Sequence, residues 1–383
     1  MSNPTLLRCA RLFDGHVFRD GAAIAIEDGR ITALLPDDAG GHGVQGQVEM
    51  LADGFLAPGF VDPQVNGGGG IMLDGAASVA RIATICAAHA GLGATGILPT
   101  LITDSPDATR RVIEAAIAAA DAGVPGFLGL HLEGPHLDPR RCGAHDPALI
   151  RPMSSADLDL YLAAAAALPA LIVTLAPGAA DADQIVALKR AGAIVSLGHS
   201  DCTAAEADAA FAAGASMVTH LFNAMSPLSH RAPGLVGAAL DGAADCGVIA
   251  DGIHVDPMAL RIALTAKRRG RIFLVSDAMA VAGTDLQEFH LGGRRVLRQK
   301  DRLVLEDGTL AGADLTLPRA VQVLVRDVGV SPEQALAMAS RIPAEIIGQD
   351  DLGRLKAGVR ADLVWLGDDL SLRGVWQGGQ RLL

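Results

Sequence analysis

Several acidic and imidazole side chains of this sequence stand in or directly after short apolar runs, and together they suit metal-dependent hydrolysis of an amide. Glu133 ends one run, His199 follows another, and His220 lies in a third. One carboxylate and two imidazoles suit a zinc-like divalent ion that keeps open positions for water. Such an ion lowers the pKa of bound water and polarises a carbonyl group.

Two further side chains follow the last two apolar runs and suit the proton transfers of such a reaction. Asp277 can act as general base on the water and later return the proton to a leaving amine. His254 can hydrogen-bond the developing oxyanion. A structural metal site is the alternative interpretation, but such sites are normally closed by four protein ligands, and only three strong ones are found here.

Eight short runs rich in Val, Ile and Leu lie between residues 55 and 280, and these runs must position the polar residues. Most of them are apolar on both faces, which is typical of buried parallel strands. The predicted strands are Phe55–Val61, Ala94–Leu101, Gly126–Leu132, Leu171–Leu175, Ala193–Leu197, Ser216–Leu221, Gly247–Ala250 and Arg271–Ser276.

The segments between these runs carry helix signals. Ser105-Pro106 and Asp256-Pro257 each pair an N-cap residue with a proline at the first helical position. Thr203 and Glu206 form a capping-box pattern. Strands that alternate with helices in this way predict an α/β fold, a (β/α)8 TIM-type barrel. In such a barrel the chemistry lies at the C-terminal ends of the strands, where the candidate residues stand.

Both ends of the chain differ from this pattern, because they hold short strand-like runs separated by Asp-Gly and Gly-Gly turn signals. We expect the two ends to pair into one small β-sandwich domain. The predicted division assigns residues 1–54 and 349–383 to that domain and residues 55–348 to the barrel. A β-rich insertion is predicted within the barrel unit, over residues 285–310.

Composition excludes several classes of partner. The chain has 383 residues, a net charge of −12 and few aromatic residues (9 Phe, 2 Trp and 1 Tyr), so a nucleic-acid partner is not expected. The charge-free stretch over residues 161–180 is broken by two prolines, which favours a helix and a strand over a membrane span. Five cysteines without a C-x-x-C pair, and no signal-peptide pattern, predict a cytoplasmic protein with reduced thiols.

Six motifs along these runs resemble the N-acetylglucosamine-6-phosphate deacetylase family of the amidohydrolase superfamily, and the resemblance covers nearly the whole chain. The HLEGP and THLFNAM strings are specific to that family, whereas PGFVD is shared widely by amidohydrolases. The matching motifs are Pro58–Asp62, His131–Pro135, Gly198–Ser200, Thr219–Met225, Ile249–His254 and Ser276–Ala278.

The resemblance implies a role for each matching residue. Glu133, His199 and His220 correspond to the metal ligands, Asp277 to the catalytic acid/base, and His254 to the histidine that orients the acetyl carbonyl and the sugar. The implied substrate contacts are Ala144, His145, Asn223, Ala224, Arg231, Asp251, His254, Leu310, Ala311 and Gly312. In the family some phosphate contacts come from a neighbouring subunit, which implies a homodimer, with a tetramer as the alternative.

Two departures from other amidohydrolases narrow the subclass. Gln64 and Asn66 stand where many of them carry a His-x-His pair, and amides are poor zinc ligands. The fourth strand ends without the lysine that is carbamylated in many amidohydrolases. We therefore expect one divalent metal per subunit and an empty second-metal slot at Gln64 and Asn66. Zinc is the first choice of metal, and iron or another divalent ion is the alternative.

The leading hypothesis is hydrolysis of N-acetylglucosamine 6-phosphate to glucosamine 6-phosphate and acetate, with Arg231 as the phosphate anchor. The same reaction on N-acetylgalactosamine 6-phosphate stays open, since only the C4 hydroxyl differs. A deacylase for N-acyl amino acids would need a carboxylate site instead. A non-catalytic sugar-phosphate sensor would be signalled by loss of Asp277 or of a ligand, and all of these are present.

Overall fold

The structure is a computed structural model that describes residues 5–36 and 47–383. The strands are β1 (Thr5–Phe13), β2 (Phe18–Glu27), β3 (Arg30–Pro36), β4 (Gln47–Pro58), β5 (Phe60–Val65), β6 (Gly67–Gly68), β7 (Ile71–Met72), β8 (Ala94–Ile102), β9 (Leu130–Glu133), β10 (Leu171–Leu175), β11 (Ile194–Leu197), β12 (Met217–Val218), β13 (Asp245–Val248), β14 (Ile272–Leu274), β15 (Glu288–Leu291), β16 (Arg294–Gln299), β17 (Arg302–Leu305), β18 (Leu310–Ala313), β19 (Leu363–Leu366), β20 (Leu372–Gln377) and β21 (Gln380–Arg381).

The α-helices are α1 (Val79–Gly91), α2 (Pro106–Asp121), α3 (Ser155–Ala167), α4 (Ala182–Arg190), α5 (Ala204–Ala213), α6 (Gly234–Asp241), α7 (Pro257–Ala266), α8 (Leu317–Val323), α9 (Pro332–Ala339) and α10 (Arg341–Ile346). A 3-10 turn covers Pro139–Arg141 and a π-helical turn covers Leu324–Val328. Among the residues that the structure describes, no helix is long and apolar enough to cross a membrane.

Eight parallel strands form the barrel, in the order β14-β13-β12-β11-β10-β9-β8-β5. The first and last strands meet at their C-terminal ends, where the Asp277 N–H donates to the Gln64 carbonyl over 3.1 Å and the Asn66 N–H donates to the Ala278 carbonyl over 2.8 Å. The buried Asp62 carboxylate also accepts the Ser276 N–H across this seam. The predicted barrel is confirmed. Its closure brings together residues from the first and the last barrel strands, which are far apart in the sequence.

The predicted helix starts are also confirmed. Ser105 caps α2 by accepting the Ala108 N–H, with Pro106 in the first turn. Thr203 and Glu206 form a reciprocal capping box at the start of α5. These caps satisfy backbone donors that have no partner inside the helix, so each helix begins at a defined distance from the strand that precedes it.

Both chain ends join one seven-stranded sheet in the order β21-β20-β19-β4-β1-β2-β3, which confirms the predicted small β-domain. The predicted strand Phe55–Val61 is divided, because its first part belongs to β4 of this sheet and its second part begins β5 of the barrel. Gly59 lies between them, and a Cβ there would stand 2.1 Å from the Thr95 hydroxyl. The predicted domain limits stay a prediction, and residues 1–4 and 37–46 lie outside the described part.

Strands β15 to β18 form a four-stranded antiparallel sheet between the barrel and α8. The sheet has its own apolar cluster, which includes Phe289, Val296 and Leu303 and extends to Met279 just after β14. This packing anchors the insertion against the C-terminal rim of the barrel, so that it can supply one wall of a pocket there.

We predict that Gly129→Ala destabilises the protein much more than Gly123→Ala. Both glycines have positive φ angles, +143° and +63°. A Cβ at position 129 would lie 2.1 Å from the Ala170 carbonyl oxygen, and that oxygen accepts the Leu130 N–H at the start of β9. The expected loss in the free energy of unfolding is more than about 3 kcal/mol for Gly129→Ala.

The matched control is Gly123→Ala, because no atom of the described residues lies within 4 Å of a Cβ at that position. Only the backbone conformation then resists the substitution, at a cost of about 1 kcal/mol. Urea unfolding of both variants measures the difference. Equal unfolding midpoints would show that the close approach of β9 to Ala170 carries no strain.

Candidate metal centre and active site

A pocket at the C-terminal rim of the barrel brings together most of the predicted site residues. It is lined by Asn66, Glu133, Ala144, His145, His199, His220, Asn223, Ala224, His254, Asp277, Leu310 and Gly312 from among them. The strand ends supply the carboxylates and imidazoles, and the loops that follow the strands supply the rest. The pocket is therefore where the barrel geometry places chemistry.

Three donor atoms meet at the floor of this pocket. The Oε1 atom of Glu133 lies 3.2 Å from Nε2 of His199 and 2.9 Å from Nε2 of His220. The two imidazole nitrogens are 3.0 Å apart. All three side chains are buried.

The hydrogen-bond roles of these residues fit a divalent metal. Nδ1 of His199 lies 2.9 Å from the Arg141 carbonyl oxygen, which can only accept, so Nδ1 carries a hydrogen and Nε2 is the nitrogen that could bind a metal. Nε2 faces the Glu133 carboxylate and the His220 nitrogen. An electron-rich group of one carboxylate and two imidazoles leaves room for water ligands, as in a catalytic metal site.

Burial disfavours the charged forms of both Glu133 and His220. Hydrogen bonding outweighs burial, however, in setting the direction of both pKa shifts. Hydrogen bonds from His199 and His220 hold the pKa of Glu133 well below its usual range despite burial. The same carboxylate raises the pKa of His220 against the effect of burial. The site therefore already favours a cation beside Glu133.

His145 also stands near this centre, where one nitrogen of its ring lies within 4.8 Å of ligand atoms of Glu133 and His199. Its Nδ1 accepts the Thr103 N–H over 3.2 Å. Burial, together with the neighbouring His199, keeps the pKa of His145 well below its usual range, so the ring is neutral. Its hydrogen therefore sits on Nε2, which can donate to a substrate but cannot coordinate a metal.

Asp277 lies beside the donor set and is held by two amides. Nδ2 of Asn66 donates to Oδ1 of Asp277 over 2.6 Å, and Nε2 of Gln64 reaches the same oxygen at 3.3 Å. Gln64 also donates to both carboxylate oxygens of Glu133 at 3.2 Å. The two residues of the predicted second-metal slot thus act as hydrogen-bond donors that separate two carboxylates.

Burial, and after it the charge of Glu133, raise the pKa of Asp277 to about 6. Above that pH the carboxylate form predominates and can accept a proton, and below it the group already holds one. A bound cation favours the carboxylate and widens the pH range in which Asp277 is a base. A pKa near neutrality is what an acid/base catalyst needs.

His254 is oriented by Asp251, which is not among the residues that line the pocket. Oδ2 of Asp251 lies 2.6 Å from Nδ1 of His254, and Oδ1 accepts the backbone N–H groups of Ile253 and His254. Despite burial, the hydrogen bond from His254 lowers the pKa of Asp251. Asp251, predicted as a substrate contact, therefore lies behind the histidine and leaves Nε2 of His254 for the pocket.

Two other predicted contacts also lie outside the pocket. Arg231 is exposed and lines a separate cleft between the segment that leads into α5 and the loop that leads into α6. Ala311 is fully buried in the apolar cluster of the insertion, between the pocket-lining residues Leu310 and Gly312. Within one chain, the structure does not bring Arg231 to the metal centre.

The pocket has an apolar wall that sequence reasoning missed. Ile102, Ile249, Met279 and Leu291 line it, with Thr309 as a polar neighbour. Leu291 and Thr309 come from the insertion, so the sequence pointed to them only through the predicted insertion as a whole. The apolar side chains carry no chemistry of their own, and they make part of the pocket lining apolar.

Backbone strain is concentrated at candidate residues of the metal centre and at Asp277 beside it. His199, His220 and Asp277 have φ angles of 45°, 30° and 52°, in the left-handed region that non-glycine residues rarely adopt. Such strain persists only where surrounding contacts hold it, and it is common at functional sites. No local pattern in the sequence signals this left-handed backbone.

Comparison with known proteins agrees with this geometry. The profile of the amidohydrolase family matches residues 55–382. An N-acetylgalactosamine-6-phosphate deacetylase of Shewanella sp. (strain ANA-3) is 38% identical over 94% of this chain and 91% of its own length. An N-acetylglucosamine-6-phosphate deacetylase of Bos taurus is 36% identical over 85% and 83%.

A solved structure extends the likeness to three dimensions. The crystal structure of N-acetylglucosamine-6-phosphate deacetylase from Pasteurella multocida superimposes with a TM-score of 0.94 at 32% identity, and the match covers 99% of both chains. Sequence profile, full-length relatives and fold agree, and the rim of the barrel holds a metal-type donor set beside the buried Asp277 carboxyl group. The chain therefore belongs to the amidohydrolase family.

Proposed function

We propose that this hydrolase removes the acetyl group of N-acetylglucosamine 6-phosphate, to give glucosamine 6-phosphate and acetate in amino-sugar catabolism. The observation that carries the proposal is the meeting of Glu133, His199 and His220 beside Asp277 in one rim pocket. Full-length relatives with this printed activity support the choice of substrate.

One divalent metal per subunit, zinc first and iron as the alternative, fits Glu133, His199 and His220. When bound there, such an ion polarises the acetamide carbonyl and makes water a better nucleophile at neutral pH. The amide nitrogens of Gln64 and Asn66 already donate to carboxylates, which supports an empty second-metal slot. The metal site is therefore proposed as mononuclear.

Asp277 moves the proton in this proposal. Its carboxylate takes a proton from the attacking water as the water oxygen bonds to the acetyl carbon. The carboxyl then gives that proton to the amine nitrogen as the C–N bond breaks, so that the free amine and acetate leave. Asn66 and Gln64 hold the Asp277 side chain in place through both steps.

The two pocket histidines bind and orient the substrate. His254 turns Nε2 toward the acetyl oxygen, and the Asp251 carboxylate holds the ring in this orientation through Nδ1. His145 donates from Nε2 to the sugar because its Nδ1 is already occupied by Thr103. Asn223, Ala224 and the insertion residues at 310–312 complete the proposed substrate contacts.

The galactosamine epimer is the second candidate substrate, because a relative that is 38% identical carries that activity in its name. The two sugars differ only at C4, so the same metal centre and acid/base serve both. The side chains that contact the C4 hydroxyl decide between them.

We further propose that the enzyme is a cytoplasmic homodimer, with a tetramer as the alternative, in which Arg231 binds the phosphate of the substrate held by the other subunit. The exposed position of Arg231 outside its own pocket supports this arrangement. Cys86, Cys142, Cys202 and Cys246 are free thiols, which supports a reducing compartment. No nucleic-acid or membrane partner is proposed.

A deacetylation assay with both epimeric N-acetylhexosamine 6-phosphates tests the proposal. We expect release of acetate from the glucosamine epimer at the higher kcat/KM, and loss of activity when a chelator removes the metal. Asp277→Asn should lower kcat by about a hundredfold or more, because the amide cannot accept the proton of water.

The unphosphorylated sugars serve as control substrates and should react poorly. Faster turnover of the galactosamine epimer would select the second candidate. Tight binding without turnover by the wild type would support a sugar-phosphate sensor instead. Full activity at two equivalents of metal, but not at one, would contradict the mononuclear site.

Asp251→Asn is expected to lower kcat by about a hundredfold with little change in the unfolding temperature. The neutral amide holds Nδ1 of His254 more weakly than the carboxylate does, so the ring is oriented less firmly toward the acetyl oxygen. Steady-state kinetics measure the effect. Asp256→Asn is the matched control, since Asp256 only caps α7 and asparagine caps equally well. Equal kcat values for both variants would refute the orienting role of Asp251.

Mixed dimers of Arg231→Ala and Asp277→Asn should recover activity that neither variant has alone. If Arg231 acts across the interface, each mixed dimer holds one complete site, and random mixing gives about a quarter of the wild-type rate at low substrate concentration. If Arg231 acts within its own chain, mixing restores nothing. The rate of an equimolar refolded mixture distinguishes the two arrangements.

A further inference from the structure

Four buried side chains form a continuous hydrogen-bonded network inside the barrel, one layer below the metal centre. We call it the barrel network, and its members, each buried, are Ser196, Thr219, Thr174 and His131. The Ser196 and Thr219 hydroxyl oxygens are 2.6 Å apart, and those of Thr219 and Thr174 are also 2.6 Å apart. The Thr174 hydroxyl lies 2.7 Å from Nε2 of His131.

The hydrogen bonds of the barrel network all run in one direction, toward His131. Nδ1 of His131 lies 3.0 Å from the Pro63 carbonyl oxygen, which can only accept, so Nδ1 carries the hydrogen. With Nε2 as an acceptor, Thr174 donates to His131, Thr219 donates to Thr174, and Ser196 donates to Thr219. Every hydroxyl hydrogen then has an acceptor, and every bond reinforces the next.

The barrel network crosses the strands that carry the metal-type donor set. His131 and Glu133 share β9, Thr219 directly precedes His220, and Ser196 lies in β11, just before His199. Thr174 lies in β10 between β9 and β11, and it pairs in register with both Glu133 and Ser196. The network therefore fixes the relative height of the strand ends from which all three donors project.

The network also supports the strained backbone at these ends. Gly198 precedes His199, and a Cβ at Gly198 would lie 2.9 Å from a Thr174 methyl carbon and 3.1 Å from Cβ of Thr219. The two threonines thus fill the space beneath the point where the chain turns into the left-handed conformation of His199. His220, with φ 30°, follows Thr219 directly.

We propose that the barrel network is a set of positioning residues that sets the affinity of the site for its metal. The proposal rests on the proposed metal-binding role of Glu133, His199 and His220. The donor atoms of this set stand within 3.2 Å of one another although their strands come from separate parts of the sequence. The network holds that geometry without touching the ion.

Thr219→Val tests the proposal, because it keeps the shape of the side chain and removes the hydroxyl that links Ser196 to Thr174. Zinc binding is measured on metal-free protein by competition with a chromophoric chelator, and thermal unfolding of the metal-free protein is measured in parallel. The dissociation constant for zinc is expected to rise about 10- to 100-fold. Thr219→Ser restores the hydroxyl and should restore the affinity.

Thr109→Val is the matched control, since Thr109 is a buried threonine that bonds only to the Ser105 carbonyl at the start of α2. It should leave zinc affinity unchanged. Ser196→Ala is a second and milder variant in case Thr219→Val does not fold, and it should also weaken zinc binding. A purely structural network would lower the unfolding temperature in these variants without changing the affinity for zinc.

Unchanged zinc affinity in folded Thr219→Val or Ser196→Ala would overturn the positioning role. Failure of the wild type to bind zinc would instead overturn the metal assignment on which the proposal rests. Weakened binding in the variants together with rescue by Thr219→Ser supports the proposal, whatever substrate the enzyme deacetylates.

Discussion

Two buried carboxylates at the rim of one barrel, those of Glu133 and Asp277, are the constraint on which the site depends. The charge of each disfavours the charge of the other, and burial strengthens that repulsion. Hydrogen-bond donors offset this repulsion between the carboxylates. The imidazoles of His199 and His220 face Glu133, and Gln64 donates to both carboxylates. The divalent cation of the proposed function would add positive charge beside Glu133.

This arrangement also divides the chemistry between the two acids. Glu133 is held ionised, because its hydrogen bonds outweigh burial in setting its pKa. Asp277 keeps a pKa raised to about 6 by burial and by the neighbouring charge, so it can both accept and release a proton near neutral pH. In the proposed function, carboxylates in different surroundings serve as ligand and as acid/base.

The barrel makes these contacts rigid. Gln64 lies near the end of β5, Asn66 directly follows β5, and Asp277 follows β14. The backbone hydrogen bonds that close the barrel bring these residues together. Asp251 and Thr103 fix the hydrogen positions on His254 and His145, respectively. Each pocket histidine therefore presents one defined nitrogen, which is the pre-organisation that stabilises developing charge.

The sequence by itself determined the barrel, the small sheet from both chain ends, and the candidate ligands Glu133, His199 and His220. It could do so because apolar runs that end in polar residues are local patterns, and parallel strands present those ends at one rim. It also misplaced strand boundaries, most of all in Phe55–Val61, where nothing local shows that the chain passes from one sheet to another at Gly59.

Only the tertiary structure decided what several polar residues contact. Asn66 meets Asp277 across 211 positions of sequence and Gln64 meets Glu133 across 69, so no local pattern reveals that these amides act as donors. The same holds for Asp251 behind His254, for Arg231 outside its own pocket, and for the left-handed backbone of His199 and His220. Hydrogen-bond partners and backbone strain are set by distances in the folded barrel, and residue type alone does not fix those distances.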